Sequence, residues 1–152
     1  MTEPINLMEY EDRARDLLPE TAYMYFATGA NDEITLRENQ AAYARLKLYP
    51  RMLRDVSARS MRVELLGHTL NAPLIVAPMA YNAMAHPDGE FGIARAAGAR
   101  GVAVTHSTLA TFALEEVAQV ASAPLWYQLY AFQNREINTR LIRRAEAAGY
   151  AA

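Results

Sequence analysis

Apolar residues recur at helical spacing in the first third of the chain and run in short unbroken blocks through its second half. In "INLMEYEDRARDLLP", Leu7, Tyr10, Ala14, Leu17 and Leu18 fall on one face of a 3.6-residue period. Asn6 stands where a helix needs a cap, Glu9 completes the capping-box spacing, and Ile5 is placed to staple onto Tyr10. Pro19 stops this segment and can open the next, "ETAYMYFATG", which is expected to end at Gly29. A third helix is predicted over "TLRENQAAYARL", where Thr35 and Glu38 again have capping-box spacing. Beyond a linker containing Pro50, "MRVELLGHTLNAP" reads as a short hairpin turning at Gly67.

From Leu74 the texture changes. The blocks "PLIVAPMA", "GVAVTHS" and "PLWYQLYAF" read as strands, and each precedes a helical pattern: "DGEFGIARAAGAR", "ALEEVAQVA" and "NREINTRLIRRAEAAG". Repeated strand–helix units predict a parallel sheet, and near-continuous apolar strands fit one covered on both faces. Gly98, Gly101 and Gly149 stand at the predicted handovers from helix to strand. "AEAAGYAA" leaves a helix and enters what should be a further strand. A three-stranded sheet with such a raw edge is a liability for a finished domain. The expectation is therefore the front part of a longer α/β protein: a helical segment over 1–60, a hairpin over 61–72 and three βα units over 73–152.

In parallel α/β sheets and barrels, ligands gather at the carboxyl ends of the strands. The predicted strands end there in "APMAYN", "THST" and "QLY". Alternation puts Trp126, Gln128 and Tyr130 on one side of their strand; on the second strand Thr105 and Ser107 share a face and His106 points the other way. The Gln128 amide interrupts an apolar run, and a buried amide without partners costs about 1–3 kcal/mol. Its partner is either a neighbouring loop or a ligand, and spacing does not choose between them. Ser107 reads equally as a cap for the following segment, and Tyr25 and Tyr130 as ordinary aromatics with their hydroxyls at the surface.

Composition narrows the classes. The chain has 152 residues, 52% hydrophobic and 21% charged, with a net charge of −2, which suits one soluble globular domain. No basic excess is present to hold a phosphate backbone, so nucleic acid is not an expected partner. The apolar runs are too short for a membrane span, and polar residues from Glu3 onward do not resemble a signal peptide. The absence of cysteine removes disulfide and thiol chemistry and fits a cytoplasmic location. His68, His86 and His106 lie far apart without carboxylates at ligand spacing, so no metal site is expected. The residues by themselves predict a ligand-binding α/β protein.

The segments "YMYFATGANDEITLRENQAAY", "RMLRDVS", "APMAYNAMAHPDGE", "THSTLATFALEEV" and "WYQLYAFQNRE", in that order, carry a more specific signal. Through them the sequence resembles the FMN-dependent 2-hydroxy acid oxidases and dehydrogenases, the family of glycolate oxidase, lactate oxidase and mandelate dehydrogenase. The resemblance implies the amino-terminal part of a (β/α)8 TIM barrel, with FMN at the carboxyl ends of the strands. It implies that Gln128 and Ser107 bond the flavin's pyrimidine side and that the backbone at Met79 and Ala80 lies against the ring. Tyr25 and Tyr130 are implied as ligands of the substrate carboxylate and hydroxyl.

The implied activity is oxidation of an L-2-hydroxy acid to the 2-oxo acid, a hydride equivalent passing to FMN. The family's histidine base, substrate-gripping arginines and phosphate loops belong to its later half, so no catalytic base is expected before Ala152. The chain alone is therefore expected to be inactive, and the full-length protein a homo-oligomer. Met79 and Leu109 stand where glycolate oxidases carry threonine and tryptophan; the second change should open the pocket, which points to a bulkier lactate- or mandelate-like substrate. The alternative is a non-catalytic half-barrel or gene remnant acting only through a partner chain.

Overall fold

The structure, a computed structural model, describes residues 3–152. It contains two compact units, Met1–Ala58 and Arg59–Ala152. Helix α1 (Met8–Leu17) in the first unit is capped by Asn6 as its sequence predicts, whereas Ile5, expected to staple onto Tyr10, is 92% exposed. The Asn6 side-chain oxygen accepts from the N–H of Met8 (2.9 Å) and of Glu9 (3.2 Å), and Glu9 accepts in return from Ile5 N (3.0 Å). Helix α2 (Glu20–Ala27) follows Pro19, and α3 spans Ile34–Arg45.

Helix α2 ends with Thr28 at the cap position, already extended and donating its hydroxyl to Met24 O at 2.7 Å, and Gly29 follows in the usual place just past the helix end. The start of α3 reads differently. Thr35 lies inside α3, whose cap position is Glu33 in the left-handed region (φ 57°). Glu33 also accepts from Gly29 N at 3.1 Å, so a longer side chain ties the turn that Thr35 was expected to close. Capping-box spacing marks a helix start only when no neighbour competes for the same donors.

The second unit opens with the predicted hairpin. Strands β1 (Val63–Leu65) and β2 (His68–Leu70) pair antiparallel, with Val63 opposite Leu70. Leu66 and Gly67 both take positive φ (48° and 80°), the geometry by which a two-residue turn matches strand twist. The chain leaving β2 is pinned at Asn71, whose N–H donates to Gly101 O (2.8 Å) and whose side chain donates to Arg100 O (3.2 Å). This junction lies at the amino end of β4, opposite to the strand ends expected to bind ligand.

Strands β3 (Ile75–Val76), β4 (Ala103–Ser107) and β5 (Leu125–Gln128) form a parallel sheet in the order β3-β4-β5. Helices α4 (Gly89–Arg100), α5 (Leu114–Val120) and α6 (Arg135–Ala147) follow the three strands in turn. The core comprises Ala97, Val104, Leu114, Leu125, Ala145 and Tyr150. The residues after α6, where a further strand was expected, run beside β5 without forming an assigned strand: Ala151 N donates to Leu125 O (2.8 Å) and Tyr127 N donates to Ala152 O (2.7 Å).

Gly101 ends α4 at φ 65°, a conformation that costs an L side chain about 1–2 kcal/mol. Gly98 has a different task from the predicted handover. It lies within α4, and a Cβ there would sit 2.1 Å from Ser122 Oγ, so it lets the helix approach the lead-in to β5. Among the described residues no helix is long and apolar enough to cross a membrane.

Candidate functional site

Sheet register builds the site. The β4–β5 alignment places Ser107 directly beside Gln128 at the carboxyl ends of their strands. Ser107 Oγ donates to Gln128 Oε1 at 3.1 Å, and Thr108 N donates to the same oxygen at 3.4 Å. Leu109 N donates to Ser107 Oγ at 3.1 Å, so the serine also holds the turn behind it, as its capping reading predicts. The amide oxygen is therefore satisfied by protein. Its nitrogen is not: among the described residues neither N–H donor of Gln128 has a hydrogen-bond partner.

Thr108 was not singled out by its spacing, yet it organises the end of β5. Its hydroxyl donates to Gln128 O and accepts from Tyr130 N at 3.1 Å, while its own N–H donates to Gln128 O at 3.1 Å. The one available signal was a hydroxyl residue directly after Ser107 in "THST". Tyr130 thus has its backbone fixed and its side chain in the open, 54% exposed.

The loop after β3 carries Met79 and Ala80. The Asn82 side chain donates to Met79 O at 2.9 Å, fixing that turn from below. Asn82 is itself buried against the Glu90 carboxylate, whose Oε1 accepts from Asn82 Nδ2 (3.0 Å) and Thr111 N (2.9 Å). Burial pushes the Glu90 pKa up, but the bonds from Asn82 and Thr111 outweigh it and leave the group below its ordinary value. Sequence reasoning missed both residues. Eight positions apart across a loop, they share no periodicity that marks a pair.

The two histidines near the strands have other occupations. His86 Nδ1 accepts from Asp88 N at 3.1 Å, a local turn that starts α4. His106 is buried on the face opposite Ser107, its ring 6.3 Å from that of Tyr127 and 5.9 Å from that of Tyr150. Burial lowers its pKa, with Glu90 and Glu115 opposing, which favours the neutral imidazole. Tyr25 belongs to α2 in the first unit, where its ring meets Phe26 edge-on at 5.1 Å.

A family model described as FMN-dependent dehydrogenase matches residues 14–152. The chain belongs to that family. It is 46% identical to an L-lactate oxidase of Nostoc sp., the match covering 100% of the chain and 43% of the relative. It is likewise 46% identical to glycolate oxidase 1 of Zea mays, over 100% of the chain and 41% of the relative. A crystal structure of a mandelate oxidase superposes with a TM-score of 0.91 at 38% identity, over 97% of this chain and 44% of that one. The chain thus spans less than half the length of these relatives. The α/β fold read from the strand–helix pattern, as the amino-terminal part of a (β/α)8 barrel, is borne out by this likeness.

Proposed function

We propose that the whole protein oxidises a 2-hydroxy acid to the 2-oxo acid with FMN as its flavin, and that these residues supply one edge of the flavin site and one wall of the substrate pocket. The observation that carries this reading is the Ser107–Gln128 pair at the strand ends, with the amide oxygen held by protein and both amide N–H donors left over. Such donors suit the carbonyl-rich pyrimidine edge of a flavin. When bound, FMN supplies the two-electron acceptor for the hydride equivalent that leaves the acid.

This chain's own residues then have defined tasks. Gln128 donates to the flavin edge, and Ser107, whose hydroxyl proton can rotate, either steadies the amide or joins it there. These neutral donors stabilise negative charge that accumulates on reduction without adding a competing titration. The backbone of Met79 and Ala80, held by Asn82, would lie against the ring. Tyr25 and Tyr130 bond substrate oxygens and exclude water with their rings. Neither His86 nor His106 is the base, since one holds its own turn and the other is buried in the core.

Leu109 is smaller than the tryptophan of the glycolate oxidases and 40% exposed, which favours a lactate- or mandelate-like L-acid. A homo-oligomer in the cytoplasm completes the proposal. The test is to purify the full-length protein, measure bound flavin, and assay reduction by L-lactate, glycolate and L-mandelate. The expected result is one FMN per chain, reduced faster by lactate or mandelate than by glycolate. A protein that retains and rebinds no FMN, or whose flavin none of these acids reduces, overturns the reading.

A further inference from the structure

Glu90 is an unusual group to find beneath a flavin-facing loop. It lies in the first turn of α4, is 5% exposed, and forms no ion pair among the described residues. Its Oε1 gathers three N–H groups: Asn82 Nδ2 (3.0 Å), Thr111 N (2.9 Å) and, more distantly, Asn82 N (3.4 Å). Two of these belong to the loop after β3 and one to the loop after β4. The loops are stitched again by Tyr81 N donating to Leu109 O (3.2 Å) and Ala83 N donating to Thr111 Oγ1 (3.2 Å).

Between these stitches Tyr81 is held in the left-handed region at φ 55°. A bulky residue there stores strain that its surroundings must offset. Directly before it lie Met79 and Ala80, and Met79 O is the acceptor of the second Asn82 Nδ2 bond. A chain of contacts therefore runs from the Glu90 carboxylate through the Asn82 amide to the Met79 carbonyl. The other carboxylate oxygen, Oε2, is buried without a partner among the described residues, and Glu90 lines, with His106, a cavity of about 10 Å³. That is room for a single water at most. Stability alone is a weak reason to keep a buried carboxylate in such a place, because apolar packing of the same volume is often at least as stable.

We propose that Glu90 is a positioning residue for the redox step: acting through Asn82, it sets the Met79–Ala80 turn against the flavin and locks it to the loop that carries Ser107 and Leu109. This rests on the flavin reading given above for Met79 and Ala80. Glu90 touches neither flavin nor substrate, so its effect falls on the rate of flavin reduction more than on substrate binding.

The experiment uses the full-length holoenzyme with Glu90→Ala, Glu90→Gln, Asn82→Ala and the double substitution Asn82→Ala/Glu90→Ala. Single-turnover flavin reduction, KM, the visible spectrum of the bound flavin, and hydrogen exchange of the amides at Ala80–Ala83 and Thr111 are read together. Misplacing a group held against the reacting centre costs on the order of tenfold to a hundredfold in rate. Glu90→Ala and Asn82→Ala are each expected to lose that much in flavin reduction, with KM changed less than about threefold, a shifted flavin spectrum and faster exchange in both loops.

The double substitution should be no slower than the worse single one, because both break the same chain of contacts. Glu90→Gln keeps the shape and one acceptor oxygen and should recover most of the rate. Wild-type reduction and spectrum in Glu90→Ala, or losses that multiply in the double variant, overturn the proposal. Should Glu90→Ala fail to fold, Asn82→Ala and Glu90→Gln decide by the same rate and spectrum. Failure of the underlying reading looks different, since the wild-type protein would then lack FMN or leave it unreduced by 2-hydroxy acids.

Discussion

Replacing Gln128 with leucine separates its two possible tasks, tying down a loop and holding a flavin. The substitution keeps an unbranched stem as far as Cβ and a similar bulk but deletes the amide. On the protein side, Gln128 Oε1 is the shared acceptor of Ser107 Oγ (3.1 Å) and Thr108 N (3.4 Å). Thr108 N retains the main-chain carbonyl of Gln128 at 3.1 Å, so the serine proton alone loses its acceptor. A hydroxyl can turn to another partner, and the expected folding cost is about 1 kcal/mol.

On the ligand side, two N–H donors disappear, each worth about 0.5–1.5 kcal/mol net. Their sum of about 1–3 kcal/mol corresponds to an FMN dissociation constant weakened about fivefold to about 150-fold. The assay is titration of the deflavinated full-length protein with FMN, followed by flavin fluorescence, beside a thermal melt. Gln128→Glu sharpens it, because a carboxylate still accepts from Ser107 and Thr108 but cannot donate. That variant should fold at least as well as the leucine variant and bind FMN equally poorly. If Gln128→Leu melts lower yet binds FMN within about twofold of wild type, the amide serves the loop alone and the donor argument is refuted.

Three further outcomes follow from the fold. Gly101→Ala forces a side chain to φ 65° and drives its Cβ to within 2.2 Å of Asn71 Nδ2, breaking the bond that anchors the hairpin; a loss of about 2–4 kcal/mol is expected in denaturant unfolding. Tyr150→Phe removes the hydroxyl that donates to Leu114 O at 3.0 Å in the core, and a loss of about 1–3 kcal/mol should appear as a lower Tm. His106 is held neutral by burial, so its folded pKa lies below the ordinary value of 6.5 and the unfolded chain binds the extra proton first. Its contribution is intact above that value and falls as pH drops below it, by at most about 1.4 kcal/mol per pH unit. His106→Leu should flatten the slope of stability between pH 7 and pH 5, and an unchanged slope would show that burial of this imidazole does not set it.

Short-range patterns in the chain were sufficient for much of this. Unbroken apolar blocks and the helical stretches between them are properties of consecutive residues, and β4, β5, α4 and α6 lie where those patterns put them. Alternation correctly separated Ser107 from His106, because the period of a strand does not depend on its neighbours. Helix ends were less legible. Asn6 capped as expected and Gly29 follows the end of α2, but Thr35 lost its predicted place to Glu33, since several side chains near a helix end can compete for the same few backbone groups.

Register and contacts across loops were decided only by the folded sheet. Ser107 and Gln128 are 21 residues apart, and parallel pairing of β4 with β5 alone makes them neighbours. The same pairing consumes the Gln128 oxygen and leaves its nitrogen, a division invisible in the string "WYQLY". The chain from Glu90 through Asn82 to Met79, joined to Thr111 across 21 positions, exists because helix packing brings two loops together. Hydrophobic periodicity records which face a residue presents, whereas the partner it meets there depends on how separate elements settle against one another.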